Sequence, residues 1–360
     1  MKTIVAVGDI MPGGKLSDWL GEKGIKSARN DLSALLGRAD LIVGNLECPI
    51  TNSNIPRSGE LFTLKMPAHL SPILSVFDGL SLANNHILDF NEEGLHHTLA
   101  NLDKNGVETF GAGFNEIEAA RPVVFDTQGF LIGMTAFTDR NWFPAGPLSP
   151  GTNIWREPES FNQVQDLSRK TDFVVVMIHQ GYEYIDYPGP EELSAARRAI
   201  EAGADLVLCH HSHTIMGMKS INQAVIAYGL GNFIAGFNDL RFPEKTNQSL
   251  IFRFSISHHK VLNCEVIPVL LDKMGWPGPA TGDAAESIHS QFHELSAALN
   301  DEQETIRRFK KQAAENMFPY AIHSLMVLYK KEGWSAVYDR LKRLRSVDFS
   351  VLVSRLFHRS

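Results

Sequence analysis

Cysteine is scarce in this chain: three residues, Cys48, Cys209 and Cys264, lie far apart among 360. An odd, scattered set builds no disulfide framework, which points to a reducing compartment. Long apolar runs are missing as well. No stretch approaches the roughly 18 apolar residues that a spanning helix needs. The opening run from Ile4 to Val7 is closed at once by Gly8-Asp9, too soon for the apolar core of a signal peptide. Positive charge is in the minority, 34 Lys and Arg against 41 Asp and Glu, and the net charge of -7 argues against a general affinity for nucleic acid. A nucleotide P-loop is absent too: Gly8 and Gly13 have the gap, but Gly14 and Lys15 follow where Lys and Ser or Thr are required. These absences leave a globular protein, expected to be cytoplasmic, whose 44% hydrophobic and 21% charged residues are ordinary for that class.

Histidine, by contrast, is concentrated. Cys209-His210-His211-Ser212-His213 follows the apolar run Leu206-Val207-Leu208. Each ring must find polar partners or water, so packing alone explains the cluster poorly. In extended backbone, residues two apart point the same way, and His211 and His213 would then face one metal site or two adjacent ions. A solvated polar loop is the plainer reading of the same residues.

The pattern repeats along the chain. Short buried-type strands empty into polar residues: Thr3–Val7 into Asp9, Leu41–Gly44 into Asn45 and Glu47, Gly79–Ala83 into Asn84-Asn85-His86 and Asp89, and Phe173–Ile178 into His179. Open α/β sheets place ligands at the carboxyl ends of their strands. Any one of these residues alone is equally a solvated loop or core group, but five such groups at one sheet edge form a site. Helices are expected at 31–36, 67–77, 91–104, 159–170 and 191–202, an edge strand at 61–64, and hairpins around Gln128-Gly129 and His258-His259. The aperiodic stretch 138–158, rich in Pro, Gly, Asn and Trp, reads as a long loop covering the site or a sheet edge. A donor set of carboxylate, amide oxygen and imidazole suits Mn, Fe or Zn and argues against an iron–sulfur cluster.

Taken together, Gly8-Asp9-Ile10-Met11, Gly44-Asn45-Leu46-Glu47-Cys48-Pro49-Ile50-Thr51, Leu82-Ala83-Asn84-Asn85-His86 with Asp89, Gly111-Ala112-Gly113, His179-x-Gly181-x-Glu183-Tyr184, His211-x-His213 and Leu230-Gly231-Asn232-Phe233 resemble the CapA family. These are capsule and poly-γ-glutamate synthesis proteins, themselves similar to calcineurin-like metallophosphoesterases. The likeness spans roughly residues 1–257. It implies an α/β fold, a four-layer α-β-β-α metallophosphoesterase-like sandwich, expected here over residues 1–277, while a helical extension over 281–360 lies outside the likeness. It implies two divalent ions and a metal-dependent, phosphoesterase-like hydrolase acting on a polar or anionic substrate. An amide-bond (poly-γ-glutamate-type) accessory protein or a non-catalytic scaffold stands as the alternative.

Carried onto this chain, Asp9 and His213 would hold one ion, and Asn85, His179 and His211 the other. His86 would be the general acid, paired with Asp89, while Asn45, Glu183, Tyr184 and Asn232 would contact substrate. Three positions depart from the superfamily pattern. Met11 stands where the first motif has His, Asn45 stands where the second has Asp, and Gln180 replaces a common Trp. Glu47 is therefore the expected bridge, and His210 a neighbour of the ligands.

Beyond a boundary near Pro277-Gly278-Pro279, helices are expected at about 284–299, 302–316, 319–332 and 334–345. The last stretch, 340–360, carries six Lys or Arg against one Asp with apolar residues between them, a helix suited to packing on the domain, on a protein partner or on a membrane surface.

Overall fold

A computed structural model describes residues 1–58, 60, 62–139, 141–237 and 243–315, with single positions at 329, 333, 334 and 338. Apart from those single positions, the expected helices at 319–332 and 334–345 lie outside the described residues, as does the basic stretch 340–360.

The chain lays down one sheet, builds a second, and returns to the first. Its opening part comprises β1 (Lys2–Met11), α1 (Lys15–Lys23), α2 (Ile25–Leu36), β2 (Leu41–Leu46), a 3-10 segment (Ala68–Val76), β3 (Gly79–Ser81), α3 (Asn91–Lys104), β4 (Glu108–Phe110), β5 (Ala112–Gly113) and α4 (Glu116–Ala119). The middle part comprises β6 (Val123–Asp126), β7 (Leu131–Thr138), β8 (Gly151–Thr152), α5 (Glu159–Ser168), β9 (Phe173–His179), α6 (Pro190–Glu201), β10 (Leu206–His210), β11 (Met218–Ile221) and β12 (Ala224–Ala227). The return consists of β13 (Asn232–Ala235), β14 (Gln248–Ser257), β15 (Lys260–Leu271), β16 (Pro277–Pro279) and α7 (Gly282–Ala298).

Among the described residues, eight strands form the first sheet in the order β16-β15-β14-β1-β2-β3-β4, with β13 also paired to β1. Six form the second in the order β11-β12-β10-β9-β7-β6. The period-2 alternation of each central strand decides what lies between these layers. Ile4 and Ala6 of β1 join Val175 and Met177 of β9 and Leu206 and Leu208 of β10 in one apolar core between the sheets. Val5 and Val7 face the other way, toward Leu16, Leu20, Leu32 and Leu95 on the helices. Val174, Val176 and Val207 likewise face Val164 of α5 and Ala196 and Ala199 of α6. Three apolar interlayers separate four layers, helix–sheet–sheet–helix, the α-β-β-α sandwich that the sequence resemblance implies.

Several local expectations are corrected. The 67–77 helix is 3-10, with Pro72 inside it offering no N–H. Residues 62–64 make no edge strand, and Leu61 lies outside the described residues; the Leu64 N–H instead donates to the Asp89 carboxylate at 2.6 Å. Residues 224–234, whose apolar sequence reads as one strand and a glycine turn, contribute to two strands in different sheets, β12 beside β10 and β13 beside β1. Helix α1 was not expected, since the two glycines before it obscure its start.

The expected division at 277/281 falls beside edge strand β16, which pairs with β15. Just past it, Ile288, Phe292 and Leu295 of α7 enter the core between the sheets, where Phe292 meets Phe252 at 5.7 Å. Residues 302–315 are helical, and Phe309 lies in that same core. No helix among the described residues is long and apolar enough to cross a membrane.

Candidate metal centre

Strand register brings the polar residues together. In the first sheet Asp9 is paired with Asn45 on one side and Asn232 on the other. In the second, Thr138, His179 and His210 share a row. β1 shifts register between Ala6 and Asp9, and Gly8 makes the shift feasible: a Cβ there would lie 1.9 Å from the Gly231 carbonyl oxygen, which accepts the Asp9 N–H at 3.0 Å. The strand runs on to Met11, so Asp9 lies inside β1 and not at its end.

Asp9 is the hub. Its Oδ1 accepts from Asn45 Nδ2 at 2.8 Å and lies 3.1 Å from His210 Nδ1; its Oδ2 accepts the His211 N–H at 3.3 Å and lies 3.4 Å from His213 Nδ1. Burial works to raise the Asp9 carboxyl, but His210 and His213 outweigh it and hold it well below the usual carboxylate range. Asn45 also reaches His179 Nδ1 at 3.1 Å and accepts from Asn84 Nδ2 at 3.3 Å. Asn45 thereby orients an acid and an imidazole. His210 orients Asp9 in the same way.

Glu47, just past β2, is the most informative residue. It is fully buried, and neither carboxylate oxygen has a hydrogen-bond partner. Its Oε1 stands 3.3 Å from His179 Nε2 and 3.8 Å from His213 Nε2, close to both but aligned for a hydrogen bond with neither. A buried carboxylate left this way is costly unless a cation completes it. The donor atoms of Glu47, His179 and His211 lie within 4.8 Å of one another, as do those of Asp9, Glu47 and His213. Glu47 is common to both triads. Asn85 joins the first, its Oδ1 2.8 Å from His179 Nε2. The residues therefore fit the divalent ions expected from the sequence resemblance, with donors of the kind that Mn, Fe and Zn accept.

His211 and His213 converge by a route the sequence reading did not foresee. Neither is extended: φ is 93° at His211 and 56° at His213, and the tight turn brings their rings to 5.9 Å. Such left-handed backbone at non-glycine residues costs free energy and persists where the surroundings over-determine it.

His86, the expected general acid, lines an open cleft. His86 Nδ1 is 2.8 Å from Asp89 Oδ2, and its N–H donates to Asn84 Oδ1 at 3.1 Å. Burial would lower the His86 imidazole, but Asp89, then Glu47 and Glu183, carry it up to about 9. Burial raises the Asp89 carboxyl, against the pull of His86 and the Leu64 N–H. His213 follows the same logic: burial opposes its charge, while Glu47, Asp9 and Glu183 push it up to about 10.

Asn232 holds His213 through Oδ1 at 2.9 Å, and Tyr184 lies beside the same ring at 6.0 Å. Together with Glu183 and Met11 they line the cleft, closed by the apolar Phe62, Leu64 and Phe237. Sequence reasoning missed these apolar walls. It also missed Trp142, whose ring packs 4.4 Å from His211 and 5.7 Å from His179; the expected covering loop was the only signal for it.

Known proteins resemble this chain in sequence, and a solved structure superposes on it in part. "PGA biosynthesis protein CapA" of Bacillus subtilis (strain 168) is 28% identical over 285 residues, 77% of this chain and 73% of that one. "Capsule biosynthesis protein CapA" of Bacillus anthracis is 27% identical over 297 residues, 78% of this chain and 69% of that one. A 5'-nucleotidase precursor from Thermus thermophilus superposes with TM-score 0.46 at 12% identity, over 83% of this chain and 60% of that one. Residues 3–237 match the family described as "Bacterial capsule synthesis protein PGA_cap", and the chain belongs to that family.

Proposed function

We propose that this protein is a metal-dependent hydrolase that cleaves a phosphoester or a related polar bond during the making of an envelope polymer. The observation that carries the reading is Glu47, a fully buried carboxylate with two unpartnered oxygens, shared by two triads of metal-type donors. Asp9, Glu47 and His213 would hold one divalent ion, and Glu47, Asn85, His179 and His211 a second. When bound, such a pair polarises a phosphoryl oxygen and lowers the pKa of a water.

The chain's own residues supply the rest. Asn45 and His210 fix the Asp9 carboxylate, and Trp142 shields His179 and His211 from solvent. His86, kept protonated by Asp89, faces the cleft with the proton that a leaving oxygen needs. Tyr184 and Asn232 line the side of the cleft next to His213.

The test uses metal-free protein reloaded separately with Mn, Fe or Zn and assayed on a generic phosphodiester. Turnover with at least one metal, lost in His86→Ala while metal content persists, is expected. No bound metal by elemental analysis and no turnover under any condition would sink the reading. The names of the Bacillus relatives, both biosynthesis proteins, favour a second one, a part in polymer synthesis through the same pocket. Activity seen only beside a synthetase would support that instead.

A further inference from the structure

We propose that Glu183 is a metal ligand, taking with His211 and His213 the coordination place that Met11 cannot fill. The proposal rests on the metal-centre reading above and goes beyond it by adding a carboxylate to the donor set. One donor atom each from Glu183, His211 and His213 lies within 4.8 Å of the others, the same closeness that joins the two Glu47 triads. Glu183 Oε2 is buried and has no hydrogen-bond partner, as at Glu47.

The loop that carries Glu183 is fastened to the turn that carries the two histidines. The Tyr184 N–H donates to the Ser212 carbonyl at 2.8 Å, and the Tyr184 carbonyl accepts from Lys245 Nζ at 3.0 Å. Tyr184 itself sits at φ 63°, a left-handed conformation at the residue next to Glu183. Met11 lines the same cleft, 7% exposed, but its thioether is a soft donor that hard divalent ions take poorly.

Electrostatics separates this role from a substrate contact. An unpartnered carboxylate beside an anionic substrate repels it, whereas a carboxylate that neutralises a cation does not.

The experiment compares the full chain with Glu183→Gln and Glu183→Ala. Each is stripped with chelator, titrated with Mn(II) alone and then Zn(II) alone, and measured for stoichiometry and affinity by equilibrium dialysis with elemental analysis. Thermal midpoints in chelator report folding. Wild type is expected to bind metal, and both variants to lose at least about tenfold in affinity for one ion, with chelated midpoints near wild type. A metal-induced rise in midpoint should shrink in parallel. A folded variant that binds the same number of ions with unchanged affinity overturns the role of Glu183 alone. A wild-type chain that binds neither metal overturns the metal-centre reading and this inference with it.

Discussion

At the scale of single residues, His210 and His213 are neighbours in sequence with different work to do. His213 presents Nε2 toward Glu47 at 3.8 Å, while His210 touches Asp9 at 3.1 Å and leaves its own Nε2 buried and unpartnered. His213→Ala should therefore remove an ion from the stoichiometry. His210→Ala should keep the stoichiometry and weaken affinity by roughly 10- to 100-fold, the usual cost of a lost outer-shell contact. Metal titration of the two variants side by side checks this; equal stoichiometric loss in both would make His210 a ligand. The His86–Asp89 pair belongs to the opposite class. Asp89→Asn leaves the metal donors in place and is expected to lower turnover by roughly 10²- to 10⁴-fold, the range that general acid–base catalysis contributes. Kinetics on metal-loaded protein would show it, and an unchanged rate would remove His86 from the proton-transfer role.

At the scale of elements, the centre depends on how closely strands approach. A methyl group added to Gly8 would meet the Gly231 carbonyl oxygen at 1.9 Å, and only backbone movement between β1 and β13 relieves it. At Gly44 the added carbon would meet the ends of Ile10 and Val7 side chains at 2.8 and 2.9 Å, which can rotate away. Gly8→Ala should destabilise by about 3 kcal/mol and disturb the Asp9–Asn232 register, and Gly44→Ala by only about 1 kcal/mol. Urea denaturation midpoints compare the two, and a similar loss in both would contradict the backbone origin. The same contrast marks what the sequence makes legible. The runs Leu206–Leu208 and Phe173–Ile178 announce their strands because burial on both faces demands continuous apolar residues. The positive φ of His211 and His213 has no such signature, since long-range contacts impose it. Nor does the partnership of β13 with β1, which is written nowhere within Asn232–Ala235. Trp142 is similar: its segment is aperiodic, and only the closed fold carries it to His211.

At the scale of the whole molecule, the helices after residue 281 are tied both to the core and to the centre. Phe292 and Phe309 are buried in the layer between the two sheets. Phe309 also packs on Tyr182 at 5.4 Å, and Gln312 both accepts the Asp186 N–H at 2.9 Å and donates to its carboxylate at 3.0 Å. Arg308 adds a bond to the Tyr187 hydroxyl at 3.0 Å. These contacts bracket Glu183 and Tyr184, so the helix at 302–315 braces the loop that borders the candidate metal centre. Two consequences differ in kind. Phe309→Ala removes a buried aromatic ring and should cost about 3 to 5 kcal/mol. Because the core is shared, helix and sandwich should still unfold in one transition, with far-UV circular dichroism and tryptophan fluorescence midpoints moving together. Gln312→Ala removes only hydrogen bonds, each worth about 0.5 to 1.5 kcal/mol net, and should shift the midpoint little while hastening amide exchange across 182–187. An early, separate transition in Phe309→Ala, or unchanged exchange in Gln312→Ala, would show that the extension neither shares the core's stability nor braces the site.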